Sequence, residues 1–442
     1  MERNEFRNLL FEEALKQGCE AAETYYASGE AFSCDILEGE VNRYVSSKEG
    51  GLNLRVKFEG RDGYAYTESM EDAAGLVQRA IDNARSVESE DAHPMQGRQS
   101  YVEIAKRENP LLKMDNAEKI ALTKRMETSA KENSPLVQRV SGCMVQTESG
   151  IVELHNTLGL EAVRTYSDSA CFVGPVVKKG ERVKDAYAFR LGADALGVES
   201  CAKEAVEKAV LALDAEPCAT GVYDIILENI ACADLLAAFS SMFSAEEAQK
   251  GKSLLAGKEG ERIAADCITI MDDPFHPLAP RAFDGEGTPV KCKKVVENGK
   301  LNTLLHNCKT ALKAGVETTG NASRGSAAGS IGVGPTVFYI QKGEKSFEQL
   351  VKELNNGLLI TEISGLHAGL NPVSGDFSLM ASGRLVENGE LSKAVDQITV
   401  AGNFLTFMKS VKTVGSDLKA TLGMAVLCPS ILVGGISVAG KN

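Results

Sequence analysis

The sequence predicts an α+β fold: two small helix-on-antiparallel-sheet modules followed by a large, mainly antiparallel β domain of barrel or sandwich type. Three observations predict it. Apolar stripes of helical period at residues 73–84 and 202–213 each close a run of alternating strands. The order helix, strands, helix occurs twice before residue 220. Beyond residue 221 the chain becomes rich in Gly, Thr, Val and Ile, with turn signals at short intervals.

In the first module, residues 1–110, Phe6, Leu9, Leu10 and Ala14 share one face of a helix that is charged elsewhere. Leu52, Leu54, Val56 and Phe58 alternate with Asn53, Arg55 and Lys57, the period of a half-buried strand. Asp62-Gly63 offers a hairpin turn into Tyr64-Ala65-Tyr66. Ala73, Leu76, Val77, Ala80, Ile81 and Ala84 then form one helical stripe, and residues 87–110 lack periodicity and read as a linker. The second module, residues 111–220, has a helix near 116–132, strands over 137–190, and a stripe of Ala202, Ala205, Val206, Ala209, Val210 and Leu213. Each module places a turn before a Gly-Leu step: Glu38-Gly39 with Gly51-Leu52, and Ser149-Gly150 with Gly159-Leu160. The parallel fits two related units, and equally the common helix-on-sheet solution.

The third segment, residues 221–442, opens with a strand at 222–227 and a helix near 231–248. Asn298-Gly299, Asn388-Gly389 and Gly383 mark hairpins, and only 346–356 has a helical pattern after that. Residues 423–440, GMAVLCPSILVGGISVAG, carry no charge and reach the lower length limit of a membrane span. Pro429, the glycines, and the two-residue steps from Ile431 to Val433 and Ile436 to Val438 predict two buried strands instead.

The 442 residues carry 48 Lys+Arg against 61 Asp+Glu, a net charge of -13. With a pI near 5.1 and no Lys/Arg block, the chain lacks the clustered cations that the nucleic-acid backbone requires. The N-terminus is charged throughout and has no apolar core of the signal-peptide kind. Eleven cysteines, an odd number without a CxxC pair, fit buried small hydrophobes in a reducing cytoplasm. These features predict a cytoplasmic protein with no direct nucleic-acid or membrane partner.

No complete catalytic constellation is legible. Gly251-Lys252-Ser253 mimics the end of a phosphate loop, but Glu246 stands where that loop needs Gly, and Glu247 adds a second repelling charge. The run 320–334, GNASRGSAAGSIGVG, lacks a dinucleotide fingerprint; it reads as a mobile loop or as one that lets an extended peptide approach. His93, His155, His276, His306 and His367 are dispersed, with no HExxH element. His155 sits with Glu153 on the polar side of a strand and is expected to face solvent. Asp272, Asp273 and His276, and the pair His306 and Cys308, are metal-ligand types that also suit turns and core packing. There is no GxSxG.

Read in order, residues 283–289 (FDGEGTP), 297–305 (ENGKLNTLL), 318–321 (TTGN), 375–378 (GDFS), 382–391 (SGRLVENGEL), 398–403 (ITVAGN) and 429–440 (PSILVGGISVAG) resemble the C-terminal domain of the TldD/PmbA family. Residues 51–67 and 149–160 resemble its two smaller N-terminal modules. TldD-type members carry HExxxH on one helix, with a later Cys completing a zinc site. Here that helix reads ACADLLAAFSSMFSAEEAQKGKS, and alignment on Leu235-Leu236 puts Ala237, Ala238 and Met242 at the His, Glu and His positions. Those side chains neither bind zinc nor take a proton from water. The stretch GSDLKATLGMAVL also lacks the late Cys, since Cys428 lies too close to Pro429. The chain therefore resembles the PmbA branch, also called TldE.

The resemblance implies a cytoplasmic two-subunit metallopeptidase that degrades unfolded peptides and matures a peptide-antibiotic precursor. It implies no metal in this chain, zinc in a TldD-like homologous partner, and possible homodimers when alone. The family's gyrase-modulator description implies no direct contact with DNA. Asn321 and the turn of Asp376, Phe377 and Ser378 are the candidate peptide-lining residues, by strand addition; for the turn, capping of backbone amides by Asp376 is an equal alternative. Two other readings stay open. One is a self-sufficient peptidase using His276, Asp273, His306 or Cys308, and the other is a non-enzymatic peptide-binding module.

Overall fold

The computed structural model describes residues 1–87, 93–105, 107–423 and 425–441. Helix α1 (Arg3–Lys16) buries Phe6, Leu10 and Ala14, while Leu9 stays 39% exposed, so the buried face is narrower than the sequence suggests. Strands β1 (Ala21–Leu37), β2 (Glu40–Phe58) and β3 (Arg61–Thr67) lead into α2 (Ala73–Ser86), capped by Asp72, which accepts from Gly75 N at 2.8 Å. All six residues of the predicted stripe on α2 are buried. A short α3 (Pro110–Lys113) precedes α4 (Asn116–Glu132), where Asp115 and Glu118 form a capping box. Strands β4 (Val137–Asn156), β5 (Glu161–Lys179), β6 (Arg182–Asp185) and β7 (Ala188–Leu191) follow, then α5 (Val198–Ala212).

The two N-terminal modules share one sheet. Its order is β3-β2-β1-β4-β5-β6, with β7 also on β5, and β1 pairs with β4 from Glu23↔Asn156 to Asp35↔Met144. The period of two along each strand sorts side chains to opposite faces. On β1, Ala22, Phe32, Cys34 and Ile36 pack under the helices, whereas Tyr25 and Ala27 face the C-terminal domain. Val152, Leu154 and Ala162 join that second face, beside Phe283 and Ala327.

Two glycines of the N-terminal sheet and one histidine differ from expectation. The β2–β3 turn is Glu59-Gly60, both at positive φ (51° and 74°), and Asp62-Gly63 lies inside β3. A Cβ on Gly63 would meet Ala80 O at 1.9 Å, so this glycine admits the close approach of α2. Gly150 lies mid-strand opposite Gly29, where a Cβ would meet Ser28 O at 2.4 Å. His155, expected in solvent, is half-buried.

In the C-terminal domain β8 (Gly221–Leu227) leads into α6 (Asn229–Ala238), a 3-10 turn (Ser240–Phe243) and α7 (Ala245–Gln249). The single helix expected near 231–248 is thus interrupted; Ser240 Oγ donates to Ala237 O at 2.7 Å where α6 ends. Next come β9 (Ile270–Asp272), β10 (Lys293–Glu297), β11 (Lys300–Leu301), α8 (Cys308–Ala314), β12 (Ala322–Ser323), β13 (Gly332–Val333) and β14 (Phe338–Ile340). The chain continues through α9 (Phe347–Leu354), β15 (Gly357–Ser364), β16 (Asp376–Glu387), β17 (Glu390–Asn403) and α10 (Phe404–Lys409). It ends with β18 (Val411–Val414), β19 (Lys419–Ala420), β20 (Val426–Cys428) and β21 (Ile431–Ala439).

One sheet runs β17-β16-β15-β8-β21-β18 and closes on itself because β17 also pairs with β21. A second runs β11-β10-β9-β14-β20-β19. Pairing is antiparallel except for β8 with β15 and β14 with β20. The main core lies between these sheets and around α6. Asn298-Gly299 and Asn388-Gly389 form the expected positive-φ hairpins. Gly383 instead sits between register shifts in β16, and a Cβ there would meet Leu359 O at 1.8 Å. No helix among the described residues is long and apolar enough to cross a membrane.

Candidate functional site: an arginine-lined cavity

A cavity of about 780 Å³ lies between the uncovered face of the N-terminal sheet, residues 101–105 and 107 of the linker, and residues 279–283 and 324–326 of the C-terminal domain. Each wall follows from the strand period. Arg164 and Tyr166 continue the face begun by Ala162 on β5, and Tyr25 and Val152 supply β1 and β4. Tyr101 packs on Phe283 at 5.1 Å between ring centres, and its hydroxyl donates to Gly287 O at 2.7 Å. That bond ties the linker to the FDGEGTP loop.

Four arginines, Arg107, Arg164, Arg281 and Arg324, line this cavity against two carboxylates, Glu103 and Asp168. Arg107 reaches Asp168 at 3.7 Å. The Arg324 side chain is 1% exposed; its Nε donates to Gly285 O at 2.9 Å and its Nη2 lies 3.5 Å from Glu23, while Nη1 is buried without a partner. Arg281 Nε is likewise buried without a partner. Burial, with Arg164 beside it, pushes the Arg281 guanidinium down to about 10. Burial also lowers Arg164. Both remain cations at neutral pH.

Behind the cavity the FDGEGTP loop is braced by its own acids. Asp284 accepts from Glu286 N and Thr288 N at 2.9 Å each and from Ala322 N at 3.0 Å. Glu286 pairs with His93 and accepts from Cys308 N at 2.9 Å. Cys308 Sγ accepts from Gln96 Nε2 at 2.9 Å. Burial and then Glu286 push that thiol far above its ordinary range, so it is no ready nucleophile.

The residues singled out in the sequence lie elsewhere. Asn321 is 1% exposed, and its side chain is occupied by Asp272, Lys293, Thr319 and Gly334 O. Asp376 opens β16, exposed, and accepts from Asn403 at 3.0 Å. Phe377 is buried against Phe239 and Phe407, and Ser378 N donates to Gly369 O at 2.7 Å. The run 320–334 is anchored by the β12–β13 pair and by Arg324. Asp273 and His276 each accept a backbone N–H of their own turn. His306 is buried with Nδ1 unpartnered. Among the described residues, no three His, Cys, Asp or Glu side chains are grouped to hold a metal. On the α6 segment, Ala237 and Met242 belong to the main core, next to Phe239, which stacks on Phe404 at 4.5 Å. Ala238 is half-buried beside them. This donor set does not fit a zinc ion, and no chemical step is derived through one.

The cavity arginines escaped sequence reading because they are separated by up to 217 residues, 107 to 324, and share no spacing. The nearest signal is position: Arg281 stands two residues before the FDGEGTP motif, and Arg324 sits inside the glycine-rich run.

Comparison with known proteins identifies the architecture. The model of the PmbA/TldA metallopeptidase C-terminal domain matches residues 220–440, that of the central domain 109–213, and that of domain 1 22–84. Metalloprotease PmbA of Escherichia coli O157:H7 is 25% identical over 99% of this chain and 98% of its own. A metalloprotease of Methanothermobacter thermautotrophicus is 26% identical over 88% of this chain and 86% of its own. Among solved structures, a Thermotoga maritima protein described as a candidate modulator of a DNA gyrase shares 32% identity and a TM-score of 0.90, covering 99% of this chain and 100% of that one. TldE from Thermococcus kodakarensis, 24% identical over 98% of this chain and 100% of its own, shares the fold with a TM-score of 0.90. A helix-covered sheet joined to a closed β domain is therefore a metallopeptidase-family architecture. The chain belongs to the PmbA/TldD family.

Proposed function

We propose that this chain is the PmbA/TldE-like subunit of a cytoplasmic two-subunit metallopeptidase acting on unfolded peptides, with the zinc held by a TldD-like homologous partner. The observation that carries the reading is the apolar packing of Ala237 and Met242, 9% and 1% exposed, where the zinc branch would need imidazoles. A histidine at either place would bury a polar ring inside a packed aromatic cluster. Relatives named metalloprotease PmbA and a structural neighbour named TldE support the same role.

The test is co-expression with a zinc-bearing homologue, followed by elemental analysis of each separated chain and peptide cleavage by each chain and by the pair. The expected result is zinc with the partner and cleavage only by the pair. Stoichiometric zinc on this chain alone, or cleavage by it alone, overturns the reading.

A further inference from the structure

The cavity combines three features that a merely structural gap between domains does not require. Its arginines outnumber its carboxylates four to two in a chain whose net charge is -13. Two of those arginines hold a buried N–H without a partner, Arg281 through Nε and Arg324 through Nη1. Beside them stands an apolar wall that includes Tyr101, Phe283, Ile104 and Val152. Glu23 balances Arg324, but burying the neighbouring guanidinium groups of Arg164 and Arg281 together is unfavourable, so folding alone gives no reason to place those two here.

We propose that this cavity binds the C-terminal end of a short peptide, its carboxylate on Arg281, Arg164 and Arg324 and its last apolar side chain against Tyr101 and Phe283. The planar guanidinium fork matches a carboxylate in a bidentate pair, and burial strengthens that bond. A bare phosphate would satisfy the arginines and leave the apolar wall in water. The volume of about 780 Å³ lies within the range of small-ligand pockets and takes a few residues rather than a folded domain. Arg324 hangs from Gly285 O and Tyr25, so it is held in place before ligand arrives. The proposal deepens the peptide-handling reading and rests on it for the choice of peptide.

The test is calorimetric titration of the full chain alone, without partner or metal. The probes are a tripeptide of glycine, leucine and phenylalanine as free acid, its C-terminal amide, and inorganic phosphate. The free acid binds, the amide binds about tenfold more weakly or worse, and phosphate competes only weakly. Arg281→Met lowers affinity for the free acid by about tenfold or more while the melting midpoint holds or rises, because a buried guanidinium with an unpartnered Nε has been removed from beside Arg164. Arg107→Ala, at the more exposed rim, gives a smaller loss that shrinks further with salt. Equal binding of acid and amide, absence of free-acid binding, phosphate binding as tightly as the peptide, or unchanged affinity in both variants overturns the proposal. Because no cleavage or zinc is read, such a failure leaves the two-subunit reading standing on its own test.

Discussion

The guanidinium of Arg324 lies 4.4 Å from the ring centre of Tyr25, so a glycine-rich loop of the C-terminal domain is clamped on the central strand of the N-terminal sheet. The contact is a cation over an aromatic face, out of water on both sides. Arg324 also neutralises Glu23, which is 1% exposed and otherwise has Arg55 at 3.9 Å. Removing Arg324 therefore leaves a buried carboxylate short of a partner.

Arg324→Met is expected to lower unfolding stability by about 2–4 kcal/mol, and Tyr25→Leu by about 1–2 kcal/mol. The double variant should show a coupling of roughly 0.5–2 kcal/mol in urea unfolding. Strict additivity would remove the clamp from the account. Arg324 thus holds the domains together while keeping Nη1 free, whereas Arg281 stands beside the like charge of Arg164 with its Nε unpartnered.

Gly63→Ala should destabilise by about 2–4 kcal/mol, because the added Cβ meets backbone atoms that cannot rotate away. Those atoms are Ala80 O at 1.9 Å and Ala84 N at 2.6 Å, and relief requires lifting α2 from β3. Gly60→Ala is the control: its φ is 74° and nothing lies within 4 Å, so the loss should be about 1 kcal/mol. Chemical denaturation of both variants decides, and equal losses would contradict the close-packing account.

That pair of glycines also shows how far the sequence reached. Helical stripes were legible because six apolar residues at helical spacing on α2 have one physical meaning, and all six are buried. Glycines outside the Asn-Gly turns were not, since the same residue serves a positive-φ turn at Gly60, helix approach at Gly63, cross-strand crowding at Gly150 and a bulge at Gly383. Only the partner strand or helix distinguishes these uses. The site fared worse for a related reason: Arg164, Arg281 and Arg324 meet through strand pairing and domain packing, which leave no local period. Phe377, by contrast, lay in a recognisable motif and proves to be a core residue.

The cysteines give a countable test. Nine of the eleven are buried, and Cys267 and Cys292 are exposed. A thiol reagent should modify these two in the native protein and the other nine only after unfolding. The two exposed thiols should also react slowly, since burial raises both above the ordinary cysteine value. Fast labelling of Cys308 would contradict its place between Glu286, Gln96 and Thr288.

His155 ties acid sensitivity to the packing of α1. It lies on β4 opposite Thr24, and burial pushes its pKa down to about 4, with the charges of Arg7 and Arg3 adding to the effect and Glu161 opposing it. The folded state therefore prefers the neutral imidazole, while the unfolded chain takes up a proton near the ordinary value of about 6.5. The stabilising contribution is fully present above about pH 6.5 and is lost as the pH falls toward about 4. His155→Gln removes the titrating group and keeps a polar side chain of similar reach. Over that window the melting midpoint of the variant should fall less steeply than that of the parent, while carboxylates elsewhere affect both alike. Identical slopes would mean that His155 is hydrated enough to protonate in the folded state, and that Arg3 and Arg7 do not crowd it.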